Sequence, residues 1–267
     1  MNIFRFELTK HLRSILLWSL GILALTLFMM SFFPFMQSEY ELMDLVLKYY
    51  PEELLKAFGL ANVQSMATLE GYIPFIFIFI QLILAMHAST LGFRALTVEE
   101  SERTADFLLT KPITRTRIYL SKISSGVVQL LMIALFSWLT LTVMIAVFAN
   151  EEPIDQKAMT MLYASIPLFQ LVYFSLGLVI SMSLRHVRSI MGYAMGLSFA
   201  TYGIYSIKGI LDIDWLKYAT PFHYFESSAI LKDATIDPTF LVLSSILIIL
   251  SMIGSYQGYL RRNIPLY

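Results

Sequence analysis

Polar and apolar positions are distributed very unevenly along this chain. Six stretches hold no Asp, Glu, Lys or Arg at all: 14–38, 71–93, 123–150, 158–184, 189–207 and 238–260. Each has room for the ~20 apolar residues that a helix needs to cross the hydrocarbon core of a bilayer. Runs such as Phe75-Ile76-Phe77-Ile78-Phe79-Ile80 are apolar on every face. That pattern suits a buried or lipid-embedded helix, and it lacks the ~10-residue alternation of a transmembrane barrel strand. The expected fold is therefore all-α and polytopic, a single transmembrane domain over 1–267 with six spans at these stretches.

Composition agrees with the pattern. The 267 residues are 57% hydrophobic and only 14% charged, with a mean hydropathy of +0.68. A soluble domain carries about a quarter charged residues. The first apolar stretch is too long for the core of a cleavable leader and no small-residue cleavage site follows it, so it reads as the first permanent span. There are no cysteines, which removes disulfides, thiolate metal sites and cysteine nucleophiles together.

Charge sets the orientation. Net charge is zero, but with the N-terminus inside, 13 of the 19 basic residues fall on internal segments and 14 of the 19 acids on external ones. An excess of Lys and Arg on short internal segments is what orients membrane helices. The expectation is N-in/C-in.

The segments between spans differ in character. Residues 1–13 read as an interfacial helix, with Phe4, Leu8, Leu12 and Ile15 on one side and Arg5, Thr9, Lys10 and Arg13 around the rest; the plainer reading is a solvated start to span 1. External segment 39–70 reads as two short helices, the second opened by Pro51 and closed by Gly59. The internal loop 94–122 reads as a helix with acids in its first turns, a stop before Pro112, and a second helix capped by Thr114 that runs into span 3. Its Leu108, Leu109 and Ile113 beside basic residues suit protein docking, while an ordinary basic loop would satisfy the same charge rule. External segment 208–237, with Trp215, Tyr218, Phe222, Tyr224 and Phe225, should lie at the interface or dip part-way in, its backbone covered by protein.

Missing chemistry argues against an enzyme. No Gly precedes a Lys, so the chain has no phosphate-cradling P-loop. Four scattered histidines make no zinc motif, no span holds paired carboxylates, and no G-x-S-x-G elbow occurs. Charge-free spans also disfavour ion-coupled transport. His87 is the one imidazole within a span and reads as a packing residue rather than a relay. Energy, if used, comes from another subunit.

The loop Glu99-Glu100-Ser101-Glu102-Arg103-Thr104-Ala105-Asp106-Phe107-Leu108-Leu109-Thr110-Lys111-Pro112-Ile113-Thr114-Arg115, followed by Ile118 and Lys122, resembles that of ABC-2 type exporter permeases. Tyr50–Gly59 with Leu69-Glu70-Gly71-Tyr72, and Leu216–Phe225, resemble that family's first and last external segments. Arg103 departs from the pattern, which often has Gly there. The resemblance implies a permease subunit in the cell membrane that pairs with a second copy or a sister permease. It also implies docking on a cytoplasmic ABC ATPase that binds the ATP and Mg, with no cofactor in this chain and no nucleic-acid partner. It assigns ATPase coupling to Glu99, Glu100, Thr104, Leu108, Leu109, Pro112, Ile113 and Arg115. It places spans 2 and 5 along the substrate path, with Gln81, His87, Tyr193 and Tyr202 as candidates. Gly192, Gly196, Ala200 and Gly203 form a small-residue stripe on span 5 that would admit another helix. With no charged lining residue, the expected cargo is amphipathic or hydrophobic: a peptide, a peptide antibiotic or a drug. The alternative is an immunity or sensor protein that binds a toxic peptide without an ATPase.

Overall fold

The computed structural model describes residues 3–39, 41, 45, 49–51, 55, 66–101, 113–149, 154–184, 189–211 and 213–262, with backbone alone at 99–101. All regular structure among them is helical. A short helix α1 (Ile3–Lys10) leads through a break at His11 into α2 (Leu12–Ser31) and α3 (Phe33–Ser38). Pro34 has no N–H to offer the carbonyl of Met30, and the junction at Phe32 separates α2 from α3. The long helices are α4 (Leu69–Ser101), α5 (Arg115–Phe148), α6 (Gln156–Ser183) and α7 (Ile190–Leu211). A 3-10 turn (Asp214–Tyr218), two short helices α8 (Pro221–Tyr224) and α9 (Ser227–Asp233), and α10 (Pro238–Arg261) follow among the described residues.

Local chemistry fixes the helix starts. Thr114 is extended and its side chain accepts from the N–H of Arg117, so α5 begins where the capping residue predicts. Asp155 and Asp237 do the same for α6 and α10, accepting from Lys157 and Thr239 at 2.8 and 2.7 Å. Pro238 then occupies the first turn of α10, where its missing N–H costs nothing.

Among the described residues, five helical stretches are long and apolar enough to cross a membrane: Leu12–Ser38, Leu69–Val98, Arg115–Phe148, Gln156–Ser183 and Pro238–Arg261. The expected fifth span, α7, is not among them. Its 22 residues would reach about 33 Å, but Tyr193, Tyr202, Tyr205, Ser198, Thr201 and the glycines dilute its apolar character.

Helices α4 and α6 form the centre and run parallel. More than half of each is buried, against 17% of α10. They meet backbone to backbone at Gly92 and Gly177: a Cβ added at Gly92 would lie 2.3 Å from the Phe174 carbonyl oxygen, and one at Gly177 2.8 Å from that of Ser89. Around this pair, α2, α5 and α10 present leucine-rich outer faces, with Leu16, Leu17, Leu20, Leu131, Leu135, Val242 and Leu250 all more than half exposed. Water would not tolerate so continuous an apolar surface, whereas lipid does.

The stripe on α7 makes no close helix contact among the described residues. A Cβ at Gly196 or Gly203 meets nothing within 4 Å, and Gly192 meets only its own neighbour Ser189. The residues of α7 that pack inward are Ala194, Ser198 and Thr201, on another face.

Candidate functional site

Segment 213–237 enters the helix bundle. Phe222, Tyr224 and Phe225 are buried, and Phe222 packs against Phe169, Tyr173, Tyr202 and Tyr205. Its backbone finds partners there. The Gln81 side-chain amide donates to the Phe225 carbonyl at 2.8 Å, Thr220 donates to the Thr201 carbonyl at 2.8 Å, and Ser227 to that of Pro74 at 3.4 Å. Non-helical backbone at membrane depth must be satisfied by protein in this way. The segment packs well below the start of α4: Gln81 lies 12 positions into that helix, about 18 Å along it.

Beside it opens a cleft of about 690 Å³ between α4, α7, α9 and the start of α6. Its walls carry Glu70, Asp155 and Glu226 with Lys208 and Lys232, and Gln81 and Tyr205 lie deeper. Burial works against the Glu226 charge, but the carboxylate sits 2.8 Å from His223 Nδ1, accepts from Ser228 and faces Lys208, and together these hold its pKa below the usual carboxylate range. Sequence reading missed this mixed-charge lining because its members come from four separated elements: α4, the cap of α6, α7 and α9.

The opposite end of the bundle is tied by cations. The Arg115 guanidinium donates to the carbonyls of Tyr259, Leu260 and Arg262 at 3.5, 3.2 and 2.9 Å, closing the end of α10. Arg262 in turn donates to the carbonyls of Ser181, Met182 and Leu184, at 3.3, 3.4 and 3.1 Å, at the end of α6. Both place positive charge where a helix end is negative. Helix α1 joins the same end through Glu7, which lies 3.3 Å from Lys122 Nζ and 3.5 Å from His11 Nε2. Burial raises the Glu7 pKa, yet the bonds and charges of His11 and Lys122 outweigh it and hold the carboxyl at about 2.

The structure scatters the residues singled out for the substrate path. Gln81 is buried and committed to Phe225. His87 is 1% exposed, edge-on to Trp18 at 5.5 Å, with neither ring nitrogen hydrogen-bonded among the described residues. Tyr193 lies against Phe93 at 5.8 Å with 38% of its surface open, and Tyr202 packs on Phe222. Of the coupling residues, Ile113 packs on the core edge and Arg115 is engaged as described. Glu99 and Glu100 lie in the last turn of α4, with backbone alone described. Thr104, Leu108, Leu109 and Pro112 lie outside the described residues, as does most of segment 39–70. Among the described residues no cluster of His, Asp or Glu could hold a metal ion.

The family described as "ABC-2 family transporter protein" has a sequence model that matches residues 1–264. The chain belongs to this ABC-2 transporter family. No curated protein matches it. Membership and the apolar helices together make this ABC-2 protein a multi-pass membrane protein and a membrane permease of an ABC transporter. Proteins of this kind are the transport subunit and are generally not catalytic themselves. The tied end and the charged cleft are thus features of a transport subunit.

Proposed function

We propose that this ABC-2 permease is the membrane subunit of an exporter for amphipathic or hydrophobic cargo, a peptide, peptide antibiotic or drug, driven by a separate cytoplasmic ATPase that binds ATP and Mg. In this reading α7 is a sixth crossing and the Arg115 end is cytoplasmic. The support for six crossings is the course of α7: it starts with Tyr193 beside Phe93 and finishes with Lys208 and Gly209 sharing a cleft with Glu70 and Gly71. It thus runs the height of α4 in the opposite sense. The exposed Gly192, Gly196 and Ala200 stripe is where a second copy or a sister permease would approach.

The observation that carries the reading is the pair of arginine ties. A push on the 99–114 loop enters α5 at Arg115, passes to the end of α10, and through Arg262 to α6. The ATPase stroke so reaches three helices at once. Arg115 here transmits from within the permease, and Glu99, Glu100, Thr104, Leu108 and Leu109 meet the ATPase.

The test is co-purification from native membranes in mild detergent with mass spectrometry, comparing the native chain with Glu99→Lys and Glu100→Lys. Arg115 is unsuitable because its loss would loosen α10 as well. Recovery of a stoichiometric P-loop ATPase, lost in both variants, supports the exporter. Recovery of the chain alone, with resistance to a toxic peptide intact in both variants, supports the second reading, an ATPase-independent binder or sensor. The charged cleft is the feature that such a binder would use.

A further inference from the structure

We propose that the groove between α1 and the first three turns of α5 is a binding site for an anionic glycerophospholipid, with its phosphate at Arg117 and an acyl chain along α5. The groove encloses about 440 Å³, walled by Phe4 of α1 and by Arg117, Leu120, Ser121 and Ser124 of α5. Two further hydroxyls there are already used: Thr114 caps α5, and Thr116 pairs with Tyr256 at 3.0 Å. The Arg117 guanidinium is exposed and makes no hydrogen bond or ion pair among the described residues, nor do the hydroxyls of Ser121 and Ser124.

Spacing makes a site of these groups. Positions 117, 121, 124, 128, 131 and 135 step by three or four and so share one face of a helix. Along that face the chemistry changes from a guanidinium, to two hydroxyls, to Val128, and then to Leu131 and Leu135, which are 51% and 53% exposed. A glycerophospholipid read inward from its phosphate has the same order: anion, ester oxygens, hydrocarbon. Guanidinium suits phosphate through charge-assisted bonds. The exposed leucines of a membrane helix have no better neighbour than an acyl chain. The occupant is held at both ends of this profile, unlike a lipid that merely borders the protein.

This inference rests on the chain being a membrane protein and is independent of ATPase coupling. Its test is native mass spectrometry of the full-length protein in mild detergent, titrated with phosphatidylglycerol or phosphatidylcholine. The native chain should retain phosphatidylglycerol in preference to phosphatidylcholine. Arg117→Ala should weaken that retention about tenfold, the loss of one charge-assisted phosphate contact. Ser124→Leu should weaken it less, and Lys217→Ala, in the turn before α8 at the far end, should leave it unchanged. Unchanged melting temperatures without lipid would show that the variants fold. Equal binding of both lipids, or full retention by Arg117→Ala, overturns the site. Equally tight binding of water-soluble glycerophosphoglycerol or inorganic phosphate overturns the acyl-chain part and leaves an anion site. A lipid-free dimer that dissociates in Arg117→Ala shows that a second copy covers this face instead.

Discussion

Replacing Gly92 by alanine should weaken the centre of the protein by an amount that geometry fixes fairly closely. The new Cβ would lie 2.3 Å from the Phe174 carbonyl oxygen, 3.0 Å from Gly177 Cα and 3.1 Å from Leu178 N. All three are backbone atoms, so no rotamer change relieves the overlap, and α4 and α6 must part by about 1 Å to restore contact at ~3.5 Å. A gap of that size forfeits up to about half of the dispersion well for atoms along the seam. Overpacking of this kind costs about 1–3 kcal/mol, and alanine returns ~0.8–1 kcal/mol of helix propensity over glycine. The net loss expected is about 0–2 kcal/mol against the native chain, and the gap to an alanine variant without overlap is the full ~1–3 kcal/mol, roughly 2–12 °C in melting temperature. Gly21→Ala in α2 provides the control, because a Cβ there meets nothing within 4 Å and the propensity gain stands alone. Melting of both detergent-purified variants, followed by tryptophan fluorescence, measures the difference. A Gly92→Ala protein as stable as Gly21→Ala would refute the close parallel crossing.

Three further outcomes follow from the ties at either end. The depressed pKa of Glu7 means that its carboxylate stabilises the docked α1 fully above about pH 4.5 and loses this as pH falls towards about 2. The depression corresponds to at most ~3 kcal/mol. Glu7→Gln should therefore release α1 at neutral pH and abolish the acid sensitivity, read as faster hydrogen exchange at residues 3–10. Arg115→Ala should free the end of α10 by about 1.5–3 kcal/mol, the range for bonds to a charged group; hydrogen exchange at 256–262 reports it. Gln81→Leu should leave the Phe225 carbonyl without its donor at about 1–3 kcal/mol, and trypsin should then cut faster at Lys217 and Lys232.

The α-helical class and the main helix positions were legible because charges punctuate the chain and the caps are local: Thr114, Asp155 and Asp237 each act within three residues of themselves. What was not legible depends on neighbours distant in sequence. Glycine spacing picked out α7, where Gly196 and Gly203 touch nothing, and passed over Gly92 and Gly177, single glycines that meet only because two parallel helices cross there. Gln81 entered as a path residue through the resemblance, which places span 2 along the path. Its partner is a carbonyl 144 positions away. Arg115 read as part of a docking motif, and only the fold could show that its guanidinium faces the end of α10. The charged cleft stayed hidden for the same reason, each member being unremarkable in its own segment.

The Gly92–Gly177 crossing also has a mechanical consequence. It lies 9 positions from the loop end of α4 and 23 from the other end, arms of about 14 and 35 Å. If the contacts of Tyr72, Pro74 and Gln81 on the long arm give way, a crossing without side chains to unlock would act as a fulcrum, and the unequal arms would multiply displacement about two and a half times. A shift of about 1 Å at the loop end would thus swing the far tip of α4 by about 2.5 Å, beside the seat of segment 221–233. The backbone contact that makes the core rigid would then also supply its mechanical gain.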